Sequence, residues 1–204
     1  MPSVIVIPVA AEDTNPTLPL AIASIREHTD YRIVTIGHDF GLCEHIPMAQ
    51  NTRRPARWAN TDNAMRLACE HFDTFIWSND DIYWTRPVEP VRWALGHLAD
   101  TTRKNAYGRR KQATHAWLSK HNLPTWDYEA HVPMPINAAA MLEALGIIAT
   151  TPTLDKRSLY GNLTGQPDLI APDVKVRTHK IPNTPWLSSD GTGHLDAITQ
   201  AIRG

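Results

Sequence analysis

An acidic pair lies between two apolar runs in Phe75-Ile76-Trp77-Ser78-Asn79-Asp80-Asp81-Ile82-Tyr83-Trp84. The first run is short, aromatic and β-prone, so it reads as a buried strand. The two adjacent carboxylates then sit at the strand's C-terminal tip. In open α/β sheets, ligands bind outside the carboxyl ends of the strands. Paired carboxylates there call for a cation, and Mg²⁺ or Mn²⁺ carrying a phosphate is a common answer. Neighbouring residues on a strand face opposite ways. Asp80 and Asp81 can therefore serve one ligand only if the chain bends, and Asn79 makes such a bend plausible. The plain alternative is a polar turn joining two strands.

A second group is Trp126-Asp127-Tyr128-Glu129-Ala130-His131-Val132-Pro133-Met134. In an extended chain Asp127, Glu129 and His131 share one face. Such crowding can tune a general base toward neutrality. The alternative is a solvated strand face whose histidine only hydrogen-bonds. Basic residues cluster at Arg103-Lys104, at Arg109-Arg110-Lys111 with Lys120 beyond, and at Arg53, Arg54 and Arg57. The first two read as a solvated helix face or as phosphate contacts. The third lies nearer the expected ligand edge. Lys156 to Asn162 and Ser188 to His194 read as polar, glycine-containing loops, either plain connections or lids over a phosphorylated ligand. No Gly-x-Gly-x-x-Gly follows the first strand, which weighs against a dinucleotide site. No Gly-Lys-Ser/Thr occurs, which removes a P-loop NTPase.

The elements that must position these groups alternate at first. Val4 to Ile7 is a strand. Leu18 to His28 shows helical spacing through Leu20, Ile22, Ala23 and Ile25. Arg32 to Ile36 is a second strand closed by Gly37, and a loop then runs through Arg53, Arg54 and Pro55. A helix from about Thr61 to Glu70, capped by Asn60 or Thr61, leads into the Phe75 strand. This βαβαβ order predicts a parallel, doubly wound sheet with its strand tips side by side. Beyond it, helices are expected over Val91–Ala99 and Ala106–His121. An extended stretch follows over Thr125–Pro135. Asn137 caps a helix through Leu145, with Gly146 as its stop. The last fifty residues read as loops, one strand at Val174–Val176 and a closing helix from about Leu195.

The chain has 204 residues, enough for one domain with a sizeable core. A formal charge of −1 argues against a general polyanion binder, though not against a local basic patch. Two cysteines, Cys43 and Cys69, make neither a disulfide framework nor a zinc site, and Cys69 reads as a small core residue. A reducing, cytoplasmic setting is expected. The opening strand has no basic region or long apolar stretch, so neither a signal peptide nor a membrane span is expected. Seven tryptophans and ten histidines are many for this length, and tryptophans outside a core often stack on flat or sugar-like ligands.

Val4-Ile5-Val6-Ile7-Pro8-Val9, the Ile22 to Arg26 helix, Ile33 to Gly37, Asn63-Ala64 and Ser78-Asn79-Asp80-Asp81 together resemble the nucleotide-binding half of GT-A-type glycosyltransferases. More narrowly, Asp127-Tyr128-Glu129, His131, Pro133-Met134, Ser158 to Asn162 and Asp173-Val174-Lys175 look like small glycosyltransferase-like proteins of actinobacterial bacteriophages. The acidic strand followed by the His131 block also resembles the Stealth sugar-phosphate transferases. The resemblance implies an α/β, GT-A-like (Rossmann-like), mostly parallel sheet flanked by helices in one domain. Residues 1–84 would be the nucleotide-sugar half and residues 85–204 the loop-rich acceptor half. It implies transfer of a sugar from a nucleotide-sugar donor to a hydroxyl acceptor, with phage DNA or a phage protein as candidates, in the host cytoplasm. Stealth-type sugar-phosphate transfer and a non-enzymatic binding module are the alternatives. The family's Asp-x-Asp element reads Asn79-Asp80-Asp81 here, which centres a Mn²⁺ or Mg²⁺ site on Asp81 with Asp80. Pro8, Val9, Ala10, His38, Arg57, Asn63 and Asp80 would meet the donor. Asp127 or Glu129 would be the base, the resemblance favouring a carboxylate, with His131 assisting the base or the metal. Tyr160, Asn162, Lys175 and Asp190 would serve the acceptor side or a lid.

Overall fold

The computed structural model describes residues 3–11, 14–51, 57–101, 105–178, 180–190 and 193–203, and of Arg57 only the backbone. Its strands are β1 (Val4–Val9), β2 (Arg32–Gly37), β3 (Glu44–Pro47), β4 (Thr74–Trp77), β5 (Ile82–Trp84), β6 (Trp93–Ala94), β7 (Met134–Asn137), β8 (Leu169–Ile170) and β9 (Trp186–Ser188). Its helices are α1 (Leu18–His28), α2 (Arg57–His71), α3 (Leu98–Thr101), α4 (Ala106–Lys120), α5 (Ala138–Thr150), α6 (Lys156–Thr164) and α7 (Leu195–Arg203). The central sheet has the order β3-β2-β1-β4-β7. The first four of these strands are parallel, and β7 runs antiparallel to β4. The expected α/β class with a mostly parallel, helix-flanked sheet is what the chain forms.

Period-two alternation fills both faces of that sheet. Val4, Val6, Phe75 and Trp77 pack toward Met65 and Ala68 of α2 and Met141 and Leu145 of α5. Ile5, Ile7, Val9 and Ile76 pack toward Leu18, Ile22 and Ile25 of α1 and toward Trp84 and Trp186. Each such aliphatic side chain contributes about 1.5–3 kcal/mol when fully buried. Among the described residues no helix is long and apolar enough to cross a membrane.

The parallel register sets the ligand edge. Val9 lies opposite Gly37, and Ile5 and Val6 lie opposite Ile76 and Trp77. Pro8, Gly37 and Asn79 therefore leave the sheet on one side, as the βαβαβ pattern requires. The antiparallel pairing of Trp77 with Met134 brings residues 131–133 back to that same edge.

Five local expectations change. The stretch after Gly37 holds β3, whose mixed Glu44-His45-Ile46-Pro47 sequence carries little apolar signal at an edge position. Val91–Ala99 is not one helix. Gly96 has φ 129°, and Leu95 and Gly96 exchange backbone hydrogen bonds with Asp127, leaving only β6 and the short α3. Asn137 does cap α5 by accepting from Ala140 N at 3.1 Å, but that helix runs through Gly146 to Thr150. Lys156–Asn162 is helix α6, not a loop, and Gly161 lets the Tyr128 ring lie against it. Val174–Val176 forms no strand of its own. Lys175 bridges Ser188, flanked by Ser188 N to Val174 O at 3.3 Å and Val176 N to Ser188 O at 2.8 Å.

Gly37 ends β2 at φ 123°, and a Cβ there would overlap the Val9 carbonyl oxygen and the Gln50 carboxamide. Gly37→Ala is expected to cost about 3 kcal/mol, since backbone strain and overpacking each cost roughly 1–3 kcal/mol. Chemical denaturation checks this. A variant within about 0.5 kcal/mol of the parent would mean that this edge is not tightly set.

Candidate active site

The acidic turn is built at the exit of β4. Ile82 N donates to Asn79 O at 3.3 Å, so the chain does bend at Asn79, and β5 leaves the main sheet to pair with β9. The two acids are held from different sides. Asn15 Nδ2 donates to Asp80 Oδ2 at 2.5 Å, while Asn15 Oδ1 accepts from Leu18 N at 3.1 Å and from Thr17 Oγ1 at 2.9 Å. Asn15 thus caps the first turn of α1 and ties it to Asp80. Asp81 Oδ2 accepts from Ser188 Oγ at 3.2 Å, and Asp81 O accepts from Ser189 N at 3.1 Å. Ser189 is buried and shares a 3.0 Å hydrogen bond with Tyr83. Burial, with the charges of Asp81 and Asp80 adding to it, pushes the Tyr83 phenol up to about 12, so it stays protonated.

The β1 exit is braced by Gln50, whose carboxamide donates to Val9 O at 2.5 Å and accepts from Ala11 N at 3.0 Å. Of the expected donor contacts, Pro8 is partly exposed, Val9 is buried, and Ala10, His38 and Asn63 are exposed. His38 meets Phe40 edge-on at 4.7 Å. The Arg57 side chain and Arg53, Arg54, Arg103 and Lys104 lie outside the described residues.

The extended segment from Trp126 does present Asp127 and Glu129 to one side, toward α4 and α6. There they enter a buried ionic layer. Asp127 is fully buried, its Oδ2 paired with the buried Lys111 and its Oδ1 accepting Glu129 N at 3.0 Å. Glu129 Oε1 accepts from Ser158 N at 3.1 Å and Ser158 Oγ at 3.3 Å, and its Oε2 accepts from Tyr107 OH at 3.4 Å. Asp155 is the N-cap residue of α6 yet makes no side-chain cap, so Glu129 places its carboxylate on that positive helix end instead. Asp155 instead accepts from Arg110 Nε at 3.0 Å. Burial, then the Glu129 charge, lift the Asp155 carboxyl above the usual range against the pull of Arg110. Burial lowers the Arg157 guanidinium, with Glu129, Tyr107, Asp173 and Asp127 countering.

Arg110 and Lys111 are therefore neither a solvated face nor phosphate contacts. Lys111 is the Asp127 counter-ion, and Arg110 also lies 4.6 Å over the Trp58 ring. Tyr160 and Asn162 are not on a lid either. Both are buried in α6: Tyr160 OH accepts from Asn137 N at 2.9 Å, and Asn162 exchanges hydrogen bonds with Trp126. Lys175 and Asp190 do meet, at 3.3 Å, beside the Ser188 that holds Asp81.

His131 faces another way. Its Nδ1 lies 2.9 Å from Asp173 Oδ2, and its backbone N donates to Asp173 Oδ1 at 3.0 Å. Arg177 approaches the same carboxylate at 3.7 Å. Burial alone would raise Asp173, but the His131 hydrogen bonds and charge, with Arg177, outweigh it and hold the carboxyl at about 2. Arg157 donates to Val132 O at 2.8 Å and so supports the chain just past His131. Arg157 and Ser188 fall in segments that read from sequence as plain loops or lids, and Asp173 in a motif of the resemblance, but neither they nor Asn15 are given a role there. The only signal for Asn15 was its place before Pro16-Thr17, and nothing local links His131 with Asp173, 42 positions away.

A scan against protein-family models finds none that matches this chain, and a search of curated proteins finds no match.

Two outcomes test this account. Lys111→Met should destabilise the fold by roughly 3–5 kcal/mol, because it leaves Asp127 buried without a counter-ion. Lys111→Met with Asp127→Asn should recover most of that loss in denaturant melts. No recovery in the double variant would remove the counter-ion role. For pH, Asp173 lies below its ordinary 3.8, so its contribution is present above about 4 and is lost as pH falls toward about 2. The stability gap between the parent and Asp173→Asn should close over that window, and a constant gap would contradict the pairing.

Proposed function

We propose that this chain transfers a sugar from a nucleotide-sugar donor to a hydroxyl acceptor, on a GT-A-like version of its mostly parallel sheet. One observation carries the reading. The β1 exit, the acidic turn and the His131 segment share a single carboxyl edge, where open α/β sheets take their ligands. Transfer needs the leaving diphosphate neutralised and the acceptor hydroxyl deprotonated. An acidic turn and a base-bearing segment on one edge suit both needs.

The acidic turn fits a divalent ion that arrives with its phosphate. Among the described residues, no three His, Cys, Asp or Glu side chains converge as a metal-binding group. Asp81 Oδ1 accepts no hydrogen bond from them, because Ser188 takes only Oδ2. Mg²⁺ and Mn²⁺ are held by one or two carboxylates completed by water and substrate oxygens. Asp81 and Asp80 would hold the ion, and Asn15 and Ser188 would fix the rotamers of those acids. When bound, the ion supplies charge neutralisation at the departing diphosphate. The loop after Val9, braced by Gln50, would lie beside the nucleotide.

The experiment is a thermal-shift panel of UDP, GDP, ADP and CDP, each with and without Mn²⁺, on the parent and on Asp81→Asn. The parent should melt higher with one nucleotide plus Mn²⁺. Asp81→Asn should lose the Mn²⁺-dependent part of that shift and keep its unliganded melting point. A parent that no nucleotide stabilises, or a variant with an unchanged Mn²⁺ response, would sink the reading. Release of a nucleoside monophosphate in place of a diphosphate would assign sugar-phosphate transfer instead.

A further inference from the structure

We infer that His131 is the base that takes the acceptor's proton and that Asp173 is the residue that positions it. This deepens the transferase reading and rests on it. Three groups stand in line on the segment before β7, and their surroundings differ. Asp127 is sealed and both of its oxygens are engaged, by Lys111 and by Glu129 N. Both Glu129 oxygens are engaged as well, by Ser158 at the start of α6 and by Tyr107. The His131 side chain is 31% exposed, and its Nε2 makes no hydrogen bond with any described residue. His131 alone of the three keeps an unengaged proton-accepting atom.

Asp173 determines which atom that is. An ionised carboxylate can only accept hydrogen bonds, so the His131 nitrogen beside it must be the donor. When the ring is neutral with Nδ1 as its N–H, the lone pair lies on Nε2. The second contact, from His131 N to Asp173 Oδ1, fixes the carboxylate against the backbone as well as the ring. Arg177 adds its charge beside Asp173 from its own segment, and Arg157 supports the Val132 carbonyl from α6. A base oriented by a partly buried acid through its other ring nitrogen is the arrangement general-base catalysis uses.

The step balances as a single displacement. The acceptor O–H bond breaks and its proton goes to His131 Nε2. The oxygen lone pair forms the new bond to the anomeric carbon. The bond from that carbon to the donor diphosphate breaks, and its electron pair leaves on the phosphate oxygen. The imidazolium returns its proton to solvent. A protein base on the acceptor implies attack from the face opposite the diphosphate, and hence inversion.

The test uses the full chain with UDP-glucose, UDP-N-acetylglucosamine and GDP-mannose plus Mn²⁺, water serving as acceptor and nucleoside diphosphate release as readout. His131→Gln should lower release at least about 100-fold and leave nucleoside diphosphate affinity within about twofold. Asp173→Asn should lower kcat with the donor KM unchanged. Long-range ¹H–¹⁵N spectra, which need no substrate, should show the His131 ring as the Nδ1–H tautomer in the parent and lose that preference in Asp173→Asn. An Nε2–H tautomer in the parent overturns the inference. So does turnover at the parental rate in His131→Gln, which leaves the donor site standing. A parent that binds no nucleotide removes the donor site, and the role of His131 falls with it.

Discussion

Residues 126–131 belong to no strand, yet four of their six backbone N–H groups donate to side chains. Trp126 N donates to Asn162 Oδ1 at 2.9 Å, Tyr128 N to Ser158 Oγ at 3.1 Å, Glu129 N to Asp127 Oδ1 at 3.0 Å and His131 N to Asp173 Oδ1 at 3.0 Å. A buried backbone group without a partner is costly, so an irregular segment inside the fold needs such donors and acceptors from elsewhere. Here α6 supplies two of them, and the Lys111–Asp127 pair anchors the segment to α4. The layer is expensive in desolvation, and ion pairs of this kind add little net stability over an apolar equivalent. What the layer fixes is direction. Asp127 and Glu129 are drawn inward, and His131 is left at the sheet edge.

The same constraint links the two ends of the chain to the acidic turn. Asp80 is tied to the start of α1 through Asn15, and Asp81 is tied to β9 through Ser188. The residues around Asp173 join this assembly through the pairing of 174–176 with Ser188. The turn, the His131–Asp173 pair and the Lys175–Asp190 pair are thus braced by one patch of the C-terminal third. Changes in β9 would reach Asp81 directly through Ser188, and the imidazole indirectly through 174–176 and Asp173.

How much of this was legible depends on the range of the interaction. Val4–Val9, Leu18–His28, Arg32–Gly37 and Thr74–Trp77 follow from period and composition because their burial is decided locally. The common edge of Pro8, Gly37 and Asn79 follows from the connection rules alone. Val91–Ala99 misleads because Gly96 turns there and Asp127 captures the neighbouring backbone. Lys156–Asn162 misleads because Gly161, Asn162 and Ser158 look like loop residues, although each is small or polar to meet Tyr128 and Trp126. Asp127 and Glu129 look like bases because sequence gives acidity but not the partner that neutralises it. The Asp173 partnership needs two segments to meet in space, which no local pattern encodes.

Charge at the edge constrains what it can hold. Asp80, Asp81, Asp173 and Asp190 lie along it, and Lys175 and Arg177 face two of them. The Arg157 guanidinium donates to Val132 O and lies in the field of Glu129, Asp173 and Asp127. Under the proposed transfer, a bare nucleoside diphosphate would bring further negative charge to these acids, and like charges close together repel even at high effective dielectric. A divalent ion bound with such a donor would reverse that sign, because it would be the largest local charge in the site. Under the proposed transfer, a cation between the acidic turn and an anionic donor would relieve that repulsion.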